Sequence, residues 1–290
     1  MTDPRPLVDT AWLAAHLDAP DLKILDATGF LPNDSRTGPA EFRKCRIPGA
    51  VYFDVNEIAD TKSGLSHTMP SSSVFLSRVS RLGVGDGLKV VVYDVHGGAN
   101  AAMRAWWMFR FFGHDDVAVL DGGLPKWLAE GRPTEDGEPA PIGPNDYRHF
   151  TPWPSDLAVK TADETWEAVQ DKSAVLIDAR SAERFAGTAP EPRPSLHQGH
   201  VPGARNLPFA RVFNPDKTVK SPAEIRALFA AAKIPLDGTP LIGMCGTGVT
   251  GCVAAFAAYV AGEPGVALYD GSWEEWGNAE DRPFAAGPAD

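Results

Sequence analysis

The chain has 290 residues, 43% of them apolar and 22% charged, which is the balance of a folded globular protein and not of a disordered or fibrous one. Its net charge of −11 is spread evenly, with 14 basic against 19 acidic residues up to position 145 and 13 against 19 beyond it. That charge excludes nucleic acid or an anionic membrane as the main ligand, since both need clustered Lys and Arg, and three cysteines exclude a disulfide framework and a four-ligand zinc site.

Met1 to Asp18 holds no apolar core of signal-peptide type, and no run of 18 apolar residues follows, so the expected location is cytoplasmic, with no membrane partner. The first predicted strand is Leu22 to Asp26 (LKILD), followed by a turn at Ile47-Pro48-Gly49-Ala50. A second apolar run, Val90 to Asp94 (VVVYD), leads into a helical stretch from Ala99 to Phe112. Leu120 to Trp127 (LDGGLPKW) closes the series, and Gly131 to Pro154, rich in proline and glycine, reads as an extended connector.

The same landmarks then recur in the same order. Ala174 to Asp178 (AVLID) matches the first strand, Val201-Pro202-Gly203-Ala204 the turn, Leu241 to Cys245 (LIGMC) the second run, and Tyr269 to Trp276 (YDGSWEEW) the last. The first and third landmarks lie 68 residues apart in one copy and 67 in the other, which points to an internal duplication. Each copy alternates short strands, apolar on both faces, with helices, so an α/β fold with a mostly parallel sheet is expected in both. Asp94 and Cys245 then stand at the carboxyl end of a strand before a helix, where open α/β sheets bind ligands.

The strongest chemical signal is Cys245-Gly246-Thr247-Gly248-Val249-Thr250-Gly251. Its glycines allow the backbone to curl with N–H groups converging, and the following helix, expected over Cys252 to Val260, adds the positive end of its dipole. Such a cradle stabilises a thiolate. A small buried cysteine after a strand is the plain alternative.

With the duplication, this loop resembles the tandem-rhodanese sulfurtransferases, in particular the 3-mercaptopyruvate branch. The likeness extends to Trp106-Trp107-Met108-Phe109-Arg110, Leu120-Asp121-Gly122-Gly123-Leu124, Arg184-Phe185-Ala186-Gly187, Pro190-Glu191-Pro192-Arg193 and Gly199-His200-Val201-Pro202-Gly203-Ala204. It implies a non-catalytic rhodanese-like domain over residues 1–136, a linker over 137–157, a catalytic rhodanese-like domain over 158–290 and an active site where the domains meet. It further implies that Cys245 takes sulfur from a donor as a persulfide and passes it to a thiol or cyanide acceptor, a thioredoxin-like protein among them. No cofactor or metal is called for.

Members that use thiosulfate typically carry basic residues inside the loop, and this loop has none. Arg184 and Arg193 match the two arginines that hold the substrate carboxylate in the mercaptopyruvate branch, with Gly246, Gly248, Val249 and Thr250 lining the substrate; on the residues alone, both arginines could be ordinary surface side chains. The branch also implies a proton relay, here Thr247 and His67. The position matching its acid is Asn56, which accepts a hydrogen bond but supplies no charge, and Asp54, Glu57 and Asp60 are near enough in sequence to replace it. Cys252 reads as core, the Trp106–Trp107 pair as core or domain interface, His200 as part of a structural turn, and Cys45 as an exposed or half-buried thiol outside the chemistry.

A cysteine phosphatase would need an arginine six residues after the cysteine, where Gly251 stands. A persulfide carrier would use the same thiolate cradle without the arginine pair.

Overall fold

In the computed structural model, which describes residues 5–153 and 155–288, short and mostly apolar runs form the strands. Residues 1–4, Pro154 of the expected connector and residues 289–290 lie outside the described residues. The chain divides into two units. One comprises the chain up to Asp60 with Pro70–Ser155 and Pro215–Val219; the other comprises Thr61–Met69, Asp156–Asn214 and the chain from Lys220 onward. His67, in the first sequence copy, thus belongs with the second unit.

The first unit carries β1 (Leu7–Val8), β2 (Leu22–Asp26), β3 (Val51–Tyr52), β4 (Lys89–Tyr93) and β5 (Val117–Leu120) in the order β1-β5-β4-β2-β3, every pairing parallel. Val90, Val91 and Val92 are fully buried, each worth about 1.5–3 kcal/mol of apolar burial. Two-sided burial needs helices on both faces, which is why the runs do not alternate with polar residues. The expected helix after β4 spans Ala101–Phe111, with Trp106 and Trp107 in the core.

The second unit repeats the arrangement with β6 (Val159–Lys160), β7 (Val175–Asp178), β8 (Arg205–Asn206), β9 (Leu241–Met244) and β10 (Ala267–Tyr269), ordered β6-β10-β9-β7-β8 and again parallel. Both units are α/β, with a central parallel sheet flanked by helices. The duplication reaches single bonds. Trp127 Nε1 donates to Pro133 O at 2.7 Å and Trp276 Nε1 to Pro283 O at 2.8 Å, each indole lying under an arginine, Arg132 or Arg282. Cys252 is buried, as its reading as core expects, and His200 is buried too, stacked on Phe185 at 3.7 Å.

The order of each sheet fixes where a site can form. The chain moves outward from β2 to β3 and then in the opposite direction from β4 to β5, so the topological switch lies between β2 and β4, and likewise between β7 and β9. Loops after these strands part to leave a crevice. No helix among the described residues is long and apolar enough to cross a membrane.

The strand-end acids of β2 and β7 differ in partners. Asp178 pairs with buried Arg180, whereas Asp26 accepts the Thr28 amide at 2.8 Å, and its burial pushes the carboxyl up to about 6. A raised carboxyl holds its proton more tightly folded than unfolded. Its cost is therefore absent below about pH 4, grows as the pH rises toward 6 and is complete above that. Asp26→Asn should raise stability by about 2–3 kcal/mol near pH 7.5 and give no gain near pH 4. Denaturant melts at the two pH values check this; equal effects at both would contradict it.

Candidate active site

Cys245 follows β9 directly and is 2% exposed. The carbonyls of this loop are tied down from one side, because Trp273 N–H donates to Cys245 O at 3.0 Å and Glu274 N–H donates to Gly246 O at 2.9 Å. Cys245 N–H donates to Ser272 Oγ at 3.1 Å, and that hydroxyl donates to Tyr269 O at 2.9 Å. Ser272 is buried with φ 51°, a left-handed conformation that costs a non-glycine residue about 1 kcal/mol or more. The amides of Gly246, Thr247, Gly248, Val249 and Thr250 meet no acceptor among the described residues. They precede helix Gly251–Val260, whose N-terminus adds to the positive field.

The first unit shows what such a loop accommodates. Asp94, after β4, accepts the amides of His96 and Gly98 at 2.8 Å each on Oδ1, and those of Asn100 and Ala102 at 3.3 and 3.1 Å on Oδ2. Four N–H groups converge on one anion built into the chain. In the second unit the strand-end residue is Cys245, and the following amides are not consumed by a side chain of its own.

Thr247 is buried, and its Oγ1 lies 3.0 Å from His67 Nδ1, with the donor set by the imidazole tautomer. The structure thus brings together the cysteine loop and the histidine predicted to act with it. His67 has φ 60°. Its segment is anchored on either side: Ser66 donates its amide and hydroxyl to Glu274, at 2.7 and 2.8 Å, and Met69 N–H donates to Asp270. Asn56 is exposed in the first unit, where its backbone amide and side-chain amide each donate to Asp54 Oδ1 at 2.9 Å.

Arg184 projects from the short helix Ala182–Phe185, and a methyl group on Gly246 would come within 2.8 Å of its Nη2, so the guanidinium rests against the residue after Cys245. Gly248, with φ 77°, completes the bend. Arg184 donates to Glu191 from Nε at 3.1 Å and from Nη2. Glu191 is itself held by Arg180 Nη1 at 2.7 Å, and Arg180 is fully buried between Asp178, Gly199 O and the face of Trp273. Arg193 lies in the loop beyond, its Nε 3.6 Å from Glu274 Oε1. Both arginines are only partly exposed, with carboxylates beside them.

Sequence reasoning did not reach Glu191, Ser272, Asp270, Glu274 or Ser66. Glu191 stood inside the motif Pro190-Glu191-Pro192-Arg193, which the family resemblance singled out, and Asp270, Ser272 and Glu274 inside YDGSWEEW, where of the three Asp270 alone recurs in the first copy, as Asp121. Ser66 had no signal beyond standing before His67.

Comparison with known proteins identifies the family. A rhodanese-like domain model matches residues 9–130 and again 161–279. Human 3-mercaptopyruvate sulfurtransferase is 41% identical over 278 residues, covering 94% of this chain and 92% of that protein. Thiosulfate sulfurtransferase of Cricetulus griseus is equally similar, 41% identical over 278 residues with the same 94% and 92% coverage. The crystal structure of SseA from Escherichia coli, described as a 3-mercaptopyruvate sulfotransferase, matches with TM-score 0.82 and 34% identity over 93% of this chain and 99% of that one. The chain therefore belongs to the rhodanese family and consists of two rhodanese-like domains in tandem.

Proposed function

We propose that this protein is a 3-mercaptopyruvate sulfurtransferase, moving sulfur through a persulfide on Cys245 to a thiol or cyanide acceptor and releasing pyruvate. The observation that carries the reading is a buried Cys245 followed by five loop amides that meet no acceptor among the described residues, with Arg184 against Gly246 and no basic residue from Gly246 to Gly251. Relatives named for mercaptopyruvate and for thiosulfate are equally similar, at 41% identity, and the charge around the loop favours the first donor. Arg184 and Arg193 each stand beside a carboxylate, Glu191 and Glu274, which leaves little net positive charge. A single substrate carboxylate can bind a guanidinium fork there, whereas a dianionic donor meets two flanking negative charges.

In the first half-reaction the Cys245 thiolate attacks the thiol sulfur of the donor. The new S–S bond takes the electron pair from the thiolate, and the breaking C–S bond leaves its pair on carbon as the enolate of pyruvate. The proton released from the transferred sulfur ends on that carbon, and the Thr247–His67 pair, 3.0 Å apart, is the path we assign to it. The amides of Gly246, Gly248, Val249 and Thr250 hold the anionic persulfide, which an acceptor thiolate or cyanide then attacks at its outer sulfur, regenerating the Cys245 thiolate. Small thiols and a thioredoxin-like protein fit the acceptor's role by their thiol chemistry. Three free cysteines and a persulfide intermediate suit a reducing, cytoplasmic setting.

Pyruvate release from 3-mercaptopyruvate with a thiol acceptor should exceed thiocyanate formation from thiosulfate and cyanide in kcat/KM; the opposite order would overturn the donor assignment. Cys245→Ser should abolish both reactions, and surviving turnover would remove the nucleophile. Arg184→Ala and Arg193→Ala should each raise KM for mercaptopyruvate about 10-fold or more, through loss of a charge-assisted pair, and affect thiosulfate less. Gly246→Ala, which pushes a methyl group into Arg184 Nη2, should act in the same direction with little change in thermal midpoint.

A further inference from the structure

Glu274 touches three parts of the site at once. Its backbone N–H donates to Gly246 O at 2.9 Å, fixing the residue after Cys245. Its carboxylate accepts the Ser66 amide on Oε2 at 2.7 Å and the Ser66 hydroxyl on Oε1 at 2.8 Å. The same Oε1 stands 3.6 Å from Arg193 Nε. The side chain is 18% exposed, so these interactions are shielded from bulk solvent. His67, the next residue after Ser66, sits at φ 60°, a conformation a free loop abandons easily. Such a backbone persists where its neighbours are fixed, and here they are fixed by Glu274 at Ser66 and by Asp270 at Met69.

We propose that Glu274 is a positioning residue, which holds His67 against Thr247 through Ser66 and tempers the charge of Arg193. The inference rests on the proton-relay reading of His67 given above. Two effects follow and separate in kinetics. The hydrogen bonds to Ser66 govern how well His67 meets Thr247, and so act on kcat. The negative charge beside Arg193 weakens its hold on a substrate carboxylate, and so acts on KM. Glutamine separates them, because its Oε1 can accept the Ser66 amide while the Ser66 hydroxyl turns to accept from its Nε2, keeping the clamp and losing the charge.

The test measures pyruvate release from 3-mercaptopyruvate across pH for wild type, Glu274→Ala, Glu274→Gln, Ser66→Ala, His67→Ala and the His67→Ala/Glu274→Ala double variant. Glu274→Ala should lower kcat about 10-fold, Ser66→Ala about 3-fold, and Glu274→Gln by less than about 2-fold while lowering KM. In the His67→Ala background, Glu274→Ala should cause no further fall in kcat, since it acts through the missing imidazole. Should Glu274→Ala not fold, Ser66→Ala in the same two backgrounds makes the same comparison. Additive losses in the double variant, or wild-type kcat in Glu274→Ala while His67→Ala is impaired, overturn the positioning role and leave the relay intact. A wild-type kcat and pH profile for His67→Ala overturns the relay and this inference with it.

Discussion

Backbone amides gathered around an anion at the carboxyl end of a central parallel strand are the interaction on which this structure depends. Parallel strands buried on both faces need helices over each, and the helix that follows β4 or β9 must begin at the strand end. The short turn between them concentrates N–H groups that no helix carbonyl satisfies, close to the positive end of the helix. Such a cluster favours an anion. In the first unit it is Asp94, with four amides on its two oxygens. In the second we assign the role to the sulfur of Cys245, first as thiolate and then as persulfide.

That substitution turns a structural device into a chemical one. A carboxylate fixed in the chain fills its cradle permanently, whereas a thiolate can acquire and lose a sulfur atom while remaining anionic. The surroundings differ accordingly. In the second unit a buried network runs from Asp178 through Arg180 and Glu191 to Arg184, the guanidinium against Gly246. An isolated buried Arg180 would be costly, but its bonds to Asp178, Glu191 and Gly199 O and the face of Trp273 satisfy it, so Arg184 is oriented by a rigid support. The corresponding strand-end acid of the first unit, Asp26, bonds the Thr28 amide, and that domain carries no such chain of ion pairs from it among the described residues.

Much of the fold was legible because it follows from local pattern. The repeated landmarks gave the duplication, the unbroken valine run gave a two-sided strand, and the glycines after Cys245 gave a curled loop before a helix. The resemblance carried by the motifs pointed to Arg184, Arg193, Thr247 and His67. Less legible was everything that depends on segments distant in sequence. That Thr61–Met69 belongs with the second unit rests on contacts to Asp270 and Glu274, some 200 residues away, for which hydrophobic periodicity has no signature. Ser272 adopts a left-handed backbone without being glycine, so turn chemistry does not reveal it. Glu191 looked like part of a proline-rich loop, and only the buried Arg180 shows why a carboxylate stands there.

In the mechanism we propose, Cys245 alone carries the transferred sulfur. Mixing the protein with 3-mercaptopyruvate in the absence of acceptor, trapping persulfides by alkylation and mapping the peptides by mass spectrometry tests it most directly. One added sulfur atom is expected on the peptide containing Cys245, in amount equal to the pyruvate released in the first turnover, and lost again when a thiol or cyanide is added. Pyruvate released in that turnover with Cys245 unmodified, or with the sulfur on Cys45 or Cys252, would contradict it.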